Sequence, residues 1–383
     1  MAVRVFDRIQ DIAPAAWNAL SGTDNPFLRY EFLAALEASG SVATQTGWQP
    51  QHLTMWETAP GGDKLIGAVP LYRKSHSYGE YIFDWAWANA YAQAGLAYYP
   101  KLVAAVPFTP ATGARLLIHP QADAQMTRIA LVDAALAQAK DSGASSLHWL
   151  FTQADEAALL ETRGHLRRVT SQFHWHNRDY RDFDDYLAMF AADKRKKIKR
   201  ERRFVREAGV TLTALAGSEL GEADWRRFFE FYRMTARKHG AIAYLNLDFF
   251  LRLGATMAAN VVMIFAYRDD AVVAGALNFK SVDCLYGRYW GALADFHSLH
   301  FETCYYRAIE YCIEQRLARF EAGAQGEHKL ARGLLPVHTY SAHWLRHREF
   351  ARAVADFLVR ERAGMEFYVD ELKQHSPFKK ECR

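Results

Sequence analysis

The sequence predicts an α/β protein built from two tandem halves, each a mixed central sheet flanked by helices. Three observations predict it. The order of strand-like and helix-like segments in the first half recurs in the second. The chain's 383 residues exceed what one compact core of ordinary size holds and suit two. With 50% hydrophobic and 14% aromatic residues, there is apolar surface enough to offset the entropy of ordering both halves. The halves are expected at residues 1–180 and 181–383.

In the first half, Val3 to Ile9 alternates like a strand, and Ala15 to Leu20 and Tyr30 to Ser39 carry helical spacing, with Gly40 as a stop. Gln51 to Glu57 and Lys64 to Arg73 read as a hairpin across Pro60-Gly61-Gly62. The aromatic stretch Tyr81 to Tyr99 leads through Pro100 and Lys101 to Pro107-Phe108-Thr109-Pro110. A helix (Ala124 to Lys140), a buried strand (Ser146 to Phe151), a short helix (Glu156 to Gly164) and a closing strand (His165 to His176) complete the half. A basic helix, Asp184 to Ala208, connects it to the second.

There the order repeats. A strand (Val210 to Ala214) precedes two helices (Glu222 to Lys238, Leu247 to Met257) and a hairpin (Val261 to Tyr267, Ala271 to Val282). A strand follows (Cys284 to Gly291), then an amphipathic helix (Phe301 to Leu317) with Tyr305, Ile309, Ile313 and Leu317 on one side, and a strand (Arg319 to Ala324). A helical segment, Glu349 to Lys373, closes the chain. Strand, two helices, hairpin, strand, helix, strand is the order of the GNAT acyltransferase fold, here met twice.

Charge is concentrated. Of a net +4, the stretch Lys194 to Glu207 carries nine basic and two acidic residues, a local +7 that leaves −3 for the rest. Arg4, Asp7 and Arg8 interrupt any leader-like apolar run, and no stretch approaches about 18 consecutive apolar residues, so a cytoplasmic protein without a membrane span is expected. Cys284, Cys304, Cys312 and Cys382 form no C-x-x-C pair, so neither a disulfide framework nor a zinc site is expected.

Gly113-Ala114-Arg115 after Pro107-Phe108-Thr109-Pro110, the segment His300 to Tyr306, the segment Glu321 to Lys329, and also Asp84-Trp85-Ala86-Trp87 and Lys238-His239-Gly240, together resemble the FemAB-like N-acyltransferases, proteins tied to peptidoglycan biosynthesis or recognition. The resemblance runs over nearly the whole chain. It implies a tandem GNAT fold and transfer of an acyl or aminoacyl group to an amine of a cell-wall precursor, peptide or small molecule, with no tightly bound cofactor. Acetyl-CoA enzymes of this fold hold the pyrophosphate on a Gly-rich turn at a helix N-terminus. Here the corresponding turns, His119 to Asp123 and Asp295 to His300, lack it and each carries an acid, which favours aminoacyl-tRNA as donor over acyl-CoA.

Amine acylation needs a base for the attacking nitrogen and a donor or cation for the tetrahedral oxyanion. Glu302, Glu327, His328 and Lys329 supply these types near the carboxyl ends of strands, where open α/β sheets bind ligands. Glu302 and Glu327 serve equally as first-turn acids of helices. Tyr289, Trp290, His300, Gln325 and Arg332 are expected to contact substrate. In the basic helix, Arg195, Lys199, Arg202 and Arg203 are expected to hold phosphate, the plainer reading being a solvated helix with Ile198 and Val205 toward a core. Asp84, Trp85, Trp87, Tyr99, Lys101, Phe108, Thr109 and Arg115 either wall an acceptor pocket or, for the aromatics, fill a core. His338, Ser341 and His343 lack the spacing of a metal or hydrolase site and are read as substrate contacts; no metal is expected. A groove between the halves is expected to hold donor and acceptor, the second half reacting and the first binding. The rival readings are a CoA-dependent acetyltransferase, a noncatalytic RNA- or phosphate-binding module, and a scaffold of envelope assembly.

Overall fold

A computed structural model describes residues 1–59, 62–238, 240–294, 296–324 and 326–379. Pro60, Gly61, His239, Asp295, Gln325 and Cys382, all drawn into the expectations above, lie outside the described residues.

The chain runs β1 (Ala2–Phe6), α1 (Pro14–Asn18), α2 (Tyr30–Ala38), β2 (Trp48–Pro50), β3 (His52–Ala59), β4 (Gly62–Val69), β5 (Leu71–Lys74), α3 (Trp85–Gln93), β6 (Lys101–Ala104), β7 (Leu117–Ile118), α4 (Ala124–Asp141), β8 (Ser146–Thr152), α5 (Ala154–Thr162) and β9 (Leu166–His176). It continues α6 (Phe183–Ala188), α7 (Ala192–Glu207), β10 (Val210–Ala216), α8 (Glu222–Lys238), α9 (Leu247–Thr256), β11 (Val261–Arg268), β12 (Ala271–Lys280) and β13 (Cys284–Ala292). Then come α10 (Leu299–Phe301), a π-helical turn (Glu302–Tyr306), α11 (Arg307–Glu314), β14 (Arg319–Glu321), a 3-10 turn (Glu327–Arg332), β15 (Leu335–Leu345) and α12 (Arg348–Gln374). The duplicated order of strand, two helices, hairpin, strand, helix, strand is therefore present, and the fold is α/β.

The compact units differ from the halves expected at residues 1–180 and 181–383. One unit is Met1–Thr170 with His338–Phe367; the other is Ser171–Val337 with the residues from Tyr368 onward. The reason is a long-range pairing: β15 lies antiparallel to β8, Tyr340 opposite Thr152 and Leu345 opposite Ser146, so a strand late in the chain completes the first unit. That unit has a four-stranded sheet, β1-β3-β4-β7, and strands in the order β15-β8-β6-β5-β2. Its core joins Leu53, Ile66, Leu102, Leu131, Leu147 and Trp149, with α4 covering the strands.

In the second unit the order is β10-β11-β12-β13-β14-β9, antiparallel except for β13 and β14. Phe173, Trp175, Phe190, Ile309, Cys312, Ile313 and Phe320 form its core. Tyr305, Ile309, Ile313 and Leu317 are all buried, as their spacing predicts. Each large apolar side chain so buried contributes roughly 1.5–3 kcal/mol. The basic helix expected from Asp184 to Ala208 is two helices, because Met189, Phe190 and Ala191 break the ladder where Phe190 bridges Phe378 and Ala191 donates to Pro377.

Candidate active site

β13 and β14 set the site. They pair in parallel only from Cys284–Arg319 to Tyr286–Glu321, after which β14 ends while β13 continues to Ala292. Beyond Tyr286, β13 thus runs on past the end of β14. A bulge sharpens the local geometry: Leu277 opposes Tyr289 and Asn278 opposes Gly287, leaving Arg288 extra. Bulges of this kind re-aim side chains beside active sites.

A cavity of about 110 Å³ occupies this region, lined by Asn278, Tyr289, Trp290, His300, Cys304 and Tyr305 with the small residues Ala276, Gly287 and Ala322. The helix entering it is wound as a π turn over Glu302–Tyr306, one residue more per hydrogen-bonded ring than an α turn, which brings His300, Cys304 and Tyr305 all to the cavity wall. Trp290 and Tyr305 flank the His300 ring at 5.3 and 5.4 Å between centroids. Burial, then His328, pushes the His300 imidazole down to about 4, so it is neutral at ordinary pH.

The turn Glu327–Arg332 supplies the other side of the cluster. Gly326 adopts φ +115°, and a Cβ there would stand 2.4 Å from the His328 ring, so glycine is what admits that ring. Tyr305 Oη and His328 Nε2 are hydrogen-bonded at 2.9 Å. The exposed His328 is held below its ordinary range by partial burial and by Arg332 and Lys329, which keeps it a proton acceptor. Cavity, Tyr305, His328 and solvent therefore form one path for a proton. Lys329 is buried and donates to the carbonyl of Gly323 at 2.8 Å; burial brings its ammonium down to about 8.

Arg332 is buried, its guanidinium 3.4 Å from the Phe301 ring centroid, donating to both Glu201 oxygens at 2.9 Å and to the His328 carbonyl at 2.7 Å. Glu302 does not line the cavity: Arg202 donates to its two oxygens at 3.0 and 3.2 Å, and to Glu310 at 2.7 Å. Burial raises the Glu302 carboxyl and Arg202 opposes the rise. Glu327 is exposed and accepts from Tyr368 at 2.7 Å.

On α7, Lys196, Lys197, Lys199, Arg200, Arg203 and Arg206, with Asp193, line an open depression of about 690 Å³. Lys199 and Arg203, two of the residues expected to hold phosphate, line this depression. Arg202 does not, since it turns inward to Glu302 and Glu310, and Arg195 is half-buried outside this depression. Ile198, Glu201 and Val205 form the helix's buried face.

The expected acceptor wall is a correction. In the first unit Lys101 is fully buried, donating to Glu80 and Ser77 at 2.8 Å and paired with Asp84, which also accepts from Tyr98. Arg115 is buried with Nε, Nη1 and Nη2 on the carbonyls of Leu150, Gly113, Ala114 and Ala111, while Glu156 accepts from its backbone N–H. Phe108 is packed edge-on to Trp48, and Thr109 donates to the Pro107 carbonyl. Trp87 belongs to a core with Tyr91, Tyr98 and Leu345; Trp85 is 36% exposed and Tyr99 half-buried. Ser341 and His343 are interior, in a hydrogen-bonded run through His148 to Ser146 with steps of 2.9, 2.7 and 2.8 Å, whereas His338 is exposed.

Sequence reasoning expected substrate contacts at Tyr289, Trp290 and His300, which line the cavity, and a site role for the stretch from Glu321 to Lys329, but gave none to Asn278, Arg288, Cys304, Tyr305 and Glu201. Glu321 ends β14 at the point of parting, and burial pushes its carboxyl up to about 7. Tyr305 had read as core. Among the described residues no cluster of metal-binding side chains occurs, and no helix is long and apolar enough to cross a membrane.

Among solved structures, the crystal structure of FemX is similar at TM-score 0.53 and 11% identity, over 93% of this chain and 100% of that one. A conserved protein of unknown function from Bacteroides thetaiotaomicron VPI-5482 is similar at TM-score 0.50 and 11% identity, over 90% of this chain and 100% of that one. At such identity these likenesses show a shared fold. No curated protein matches the sequence. The sequence pattern of the FemAB-like family, described as peptidoglycan biosynthesis/recognition, matches residues 8–380. With that match over nearly its whole length, the chain belongs to the FemAB-like family.

Proposed function

We propose that the chain is an N-acyltransferase, moving an acyl or aminoacyl group from a phosphate-bearing donor to an amine at the cavity beside β13. The observation that carries this reading is the parting of β13 and β14 beyond Tyr286 and Glu321, with a cavity in the region and Tyr305 at its wall, hydrogen-bonded to His328. A carbonyl lodged there lies beside the stretch of β13 that runs on past the end of β14, where backbone N–H groups aimed at it suit an oxyanion. The amine nitrogen bonds to the carbonyl carbon. Its proton passes to Tyr305 as the Tyr305 proton passes to His328, and collapse of the tetrahedral species breaks the bond to the donor's oxygen or sulfur, which leaves with a proton returned along the same path. The basic depression on α7 holds donor phosphates by charge neutralisation.

Aminoacyl-tRNA is favoured as donor over acyl-CoA because no Gly-rich turn precedes α10 to cradle a pyrophosphate. The acceptor is an amine of a cell-wall precursor, peptide or small molecule, and the protein works in the cytoplasm. The test is mass-spectrometric detection of acylated product after incubating the full chain with charged tRNAs or acyl-CoAs and a panel of amine acceptors. Product that forms with wild type and is lost on Tyr305→Phe supports the reading; product formed undiminished by that variant removes it.

A further inference from the structure

We infer that Glu201 is a positioning residue through which a ligand on α7 sets the geometry of the Tyr305–His328 pair. The inference rests on the proposed function and assigns it a means of coupling donor binding to the reactive cluster. α7 presents two faces. Outward lie Lys196, Lys197, Lys199, Arg200, Arg203 and Arg206, an anion-binding depression. Inward, Glu201 is 6% exposed and accepts from Arg332 Nη2 through both oxygens at 2.9 Å, and from the Tyr306 hydroxyl.

Each of these contacts leads to the cavity within a few bonds. Tyr306 is the last residue of the π turn and adjoins Tyr305. Arg332 donates to the main-chain carbonyl of His328 and lies against Phe301, whose ring is also 5.8 Å from that of His328. Glu201 thus grips, at one carboxylate, the two segments that contribute the two halves of the Tyr305–His328 hydrogen bond. Next to it on the helix, Arg202 anchors Glu302, the first residue of the π turn, so both ends of that turn are tied to α7. A buried arginine paired in this way cannot be left behind when the helix shifts, because an unpaired charge in the interior is strongly unfavourable. Movement of α7 on binding an anion is therefore transmitted to both segments.

A solvated helix that merely carries charge would need neither contact. A general electrostatic influence of a bound anion on His328 would not depend on Glu201 in particular.

The experiment titrates histidine-labelled full chain with inorganic pyrophosphate, following the His328 ring by NMR and binding by calorimetry. It compares wild type, Glu201→Gln, Glu201→Asp and Tyr306→Phe, the last removing only one hydroxyl should Glu201→Gln fold poorly. The expected result is that pyrophosphate displaces the His328 ring resonances and raises their titration midpoint in wild type. The response persists in Glu201→Asp and is lost or at least halved in Glu201→Gln and Tyr306→Phe, with pyrophosphate affinity kept within about threefold. Pyrophosphate that binds all forms and moves His328 equally in each, or moves it in none, overturns the coupling and leaves the proposed site standing. Absence of pyrophosphate binding in wild type overturns both the coupling and the phosphate role of α7, without touching acyl transfer at the cavity.

Discussion

Tyr305 carries its hydroxyl at the cavity wall and shares it with a histidine that reaches solvent, so its loss separates chemistry from stability. Tyr305→Phe keeps the ring and its packing and removes one hydrogen bond, worth about 1 kcal/mol. Acyl transfer should fall by roughly 10²- to 10⁴-fold, the range general acid–base groups contribute, while the thermal midpoint stays close to wild type. Steady-state rates beside differential scanning calorimetry check both; a rate loss that tracks a collapse in stability would reassign Tyr305 to the core. Gly291 makes the opposite case. A Cβ there would lie 2.1 Å from the main-chain oxygen of Phe231, backbone that no rotamer change can clear. Gly291→Ala should therefore destabilise the second unit by roughly 3 kcal/mol, the upper end of what overpacked cores typically show, measurable by denaturant unfolding. At this scale the sequence was only partly legible. Lys101 and Arg115 stand beside aromatic and proline-rich runs just as ligand-facing cations would, and what decides their burial is Glu80 and Asp84 for the one and, for the other, the nearby Ala111 carbonyl together with that of Leu150 on β8, convergences visible only in three dimensions.

Among the elements, α7 divides its labour by face, and the division can be measured. Its outer cations should bind phosphate without sequence preference, so each one neutralised removes about one unit from the slope of log affinity against log salt. Lys196→Gln and Arg203→Gln together should flatten the slope for a short RNA by about 1.5 to 2 units, whereas Arg202→Gln, inward on Glu302 and Glu310, should leave the slope nearly unchanged and lower stability instead. Fluorescence anisotropy across a salt series reads this; equal slopes for all variants would make α7 a solvated helix. The helix itself was plain in the sequence because Ile198 and Val205, seven apart, and the long basic run agree on one periodicity. The π turn was not: Tyr305, Ile309 and Ile313 satisfy ordinary helical spacing, and the extra residue that turns the Tyr305 hydroxyl to the cavity leaves that pattern intact. Likewise the duplicated element order was legible, because it is local. The unit boundary was not, because it depends on β15 pairing with β8 across nearly two hundred residues.

Across the molecule, buried titratable groups of opposite tendency set how stability responds to acid. Burial drives His148 and His174 down to about 3 and His165 and His300 to about 4, and carries His343 well below its ordinary value, each kept neutral in the fold. In the unfolded chain these imidazoles take up protons near pH 6.5. The stability they contribute is complete above that pH and is lost as pH falls toward 4. Glu80, Glu156 and Glu321 work against them. Burial lifts each to about 7, so the fold holds their protons from pH 7 down to about 4.5 while the unfolded chain does not, and acid favours the native state through them. The two sets nearly cancel around pH 6.5, where the imidazoles are half protonated in the unfolded chain. Below about pH 5.5 the histidines prevail. The first unit holds His148, His165 and His343 against Glu80 and Glu156, and the second holds His174 and His300 against Glu321, so each unit has one histidine in excess. One excess proton corresponds to about 1.4 kcal/mol per pH unit. Lys74, brought down to about 6 by burial but protonated in the unfolded chain, adds to the loss between pH 7 and 6, so guanidinium unfolding at pH 7, 6, 5 and 4.5 should show a shallow fall to about pH 6 and then a steeper one approaching that slope for each unit. The partly exposed His76, His119, His176 and His328, depressed in the same direction, steepen it. Stability that held level or rose from pH 6 to pH 4.5 would mean that the imidazoles of the His148–His343 pair are not kept neutral in the interior.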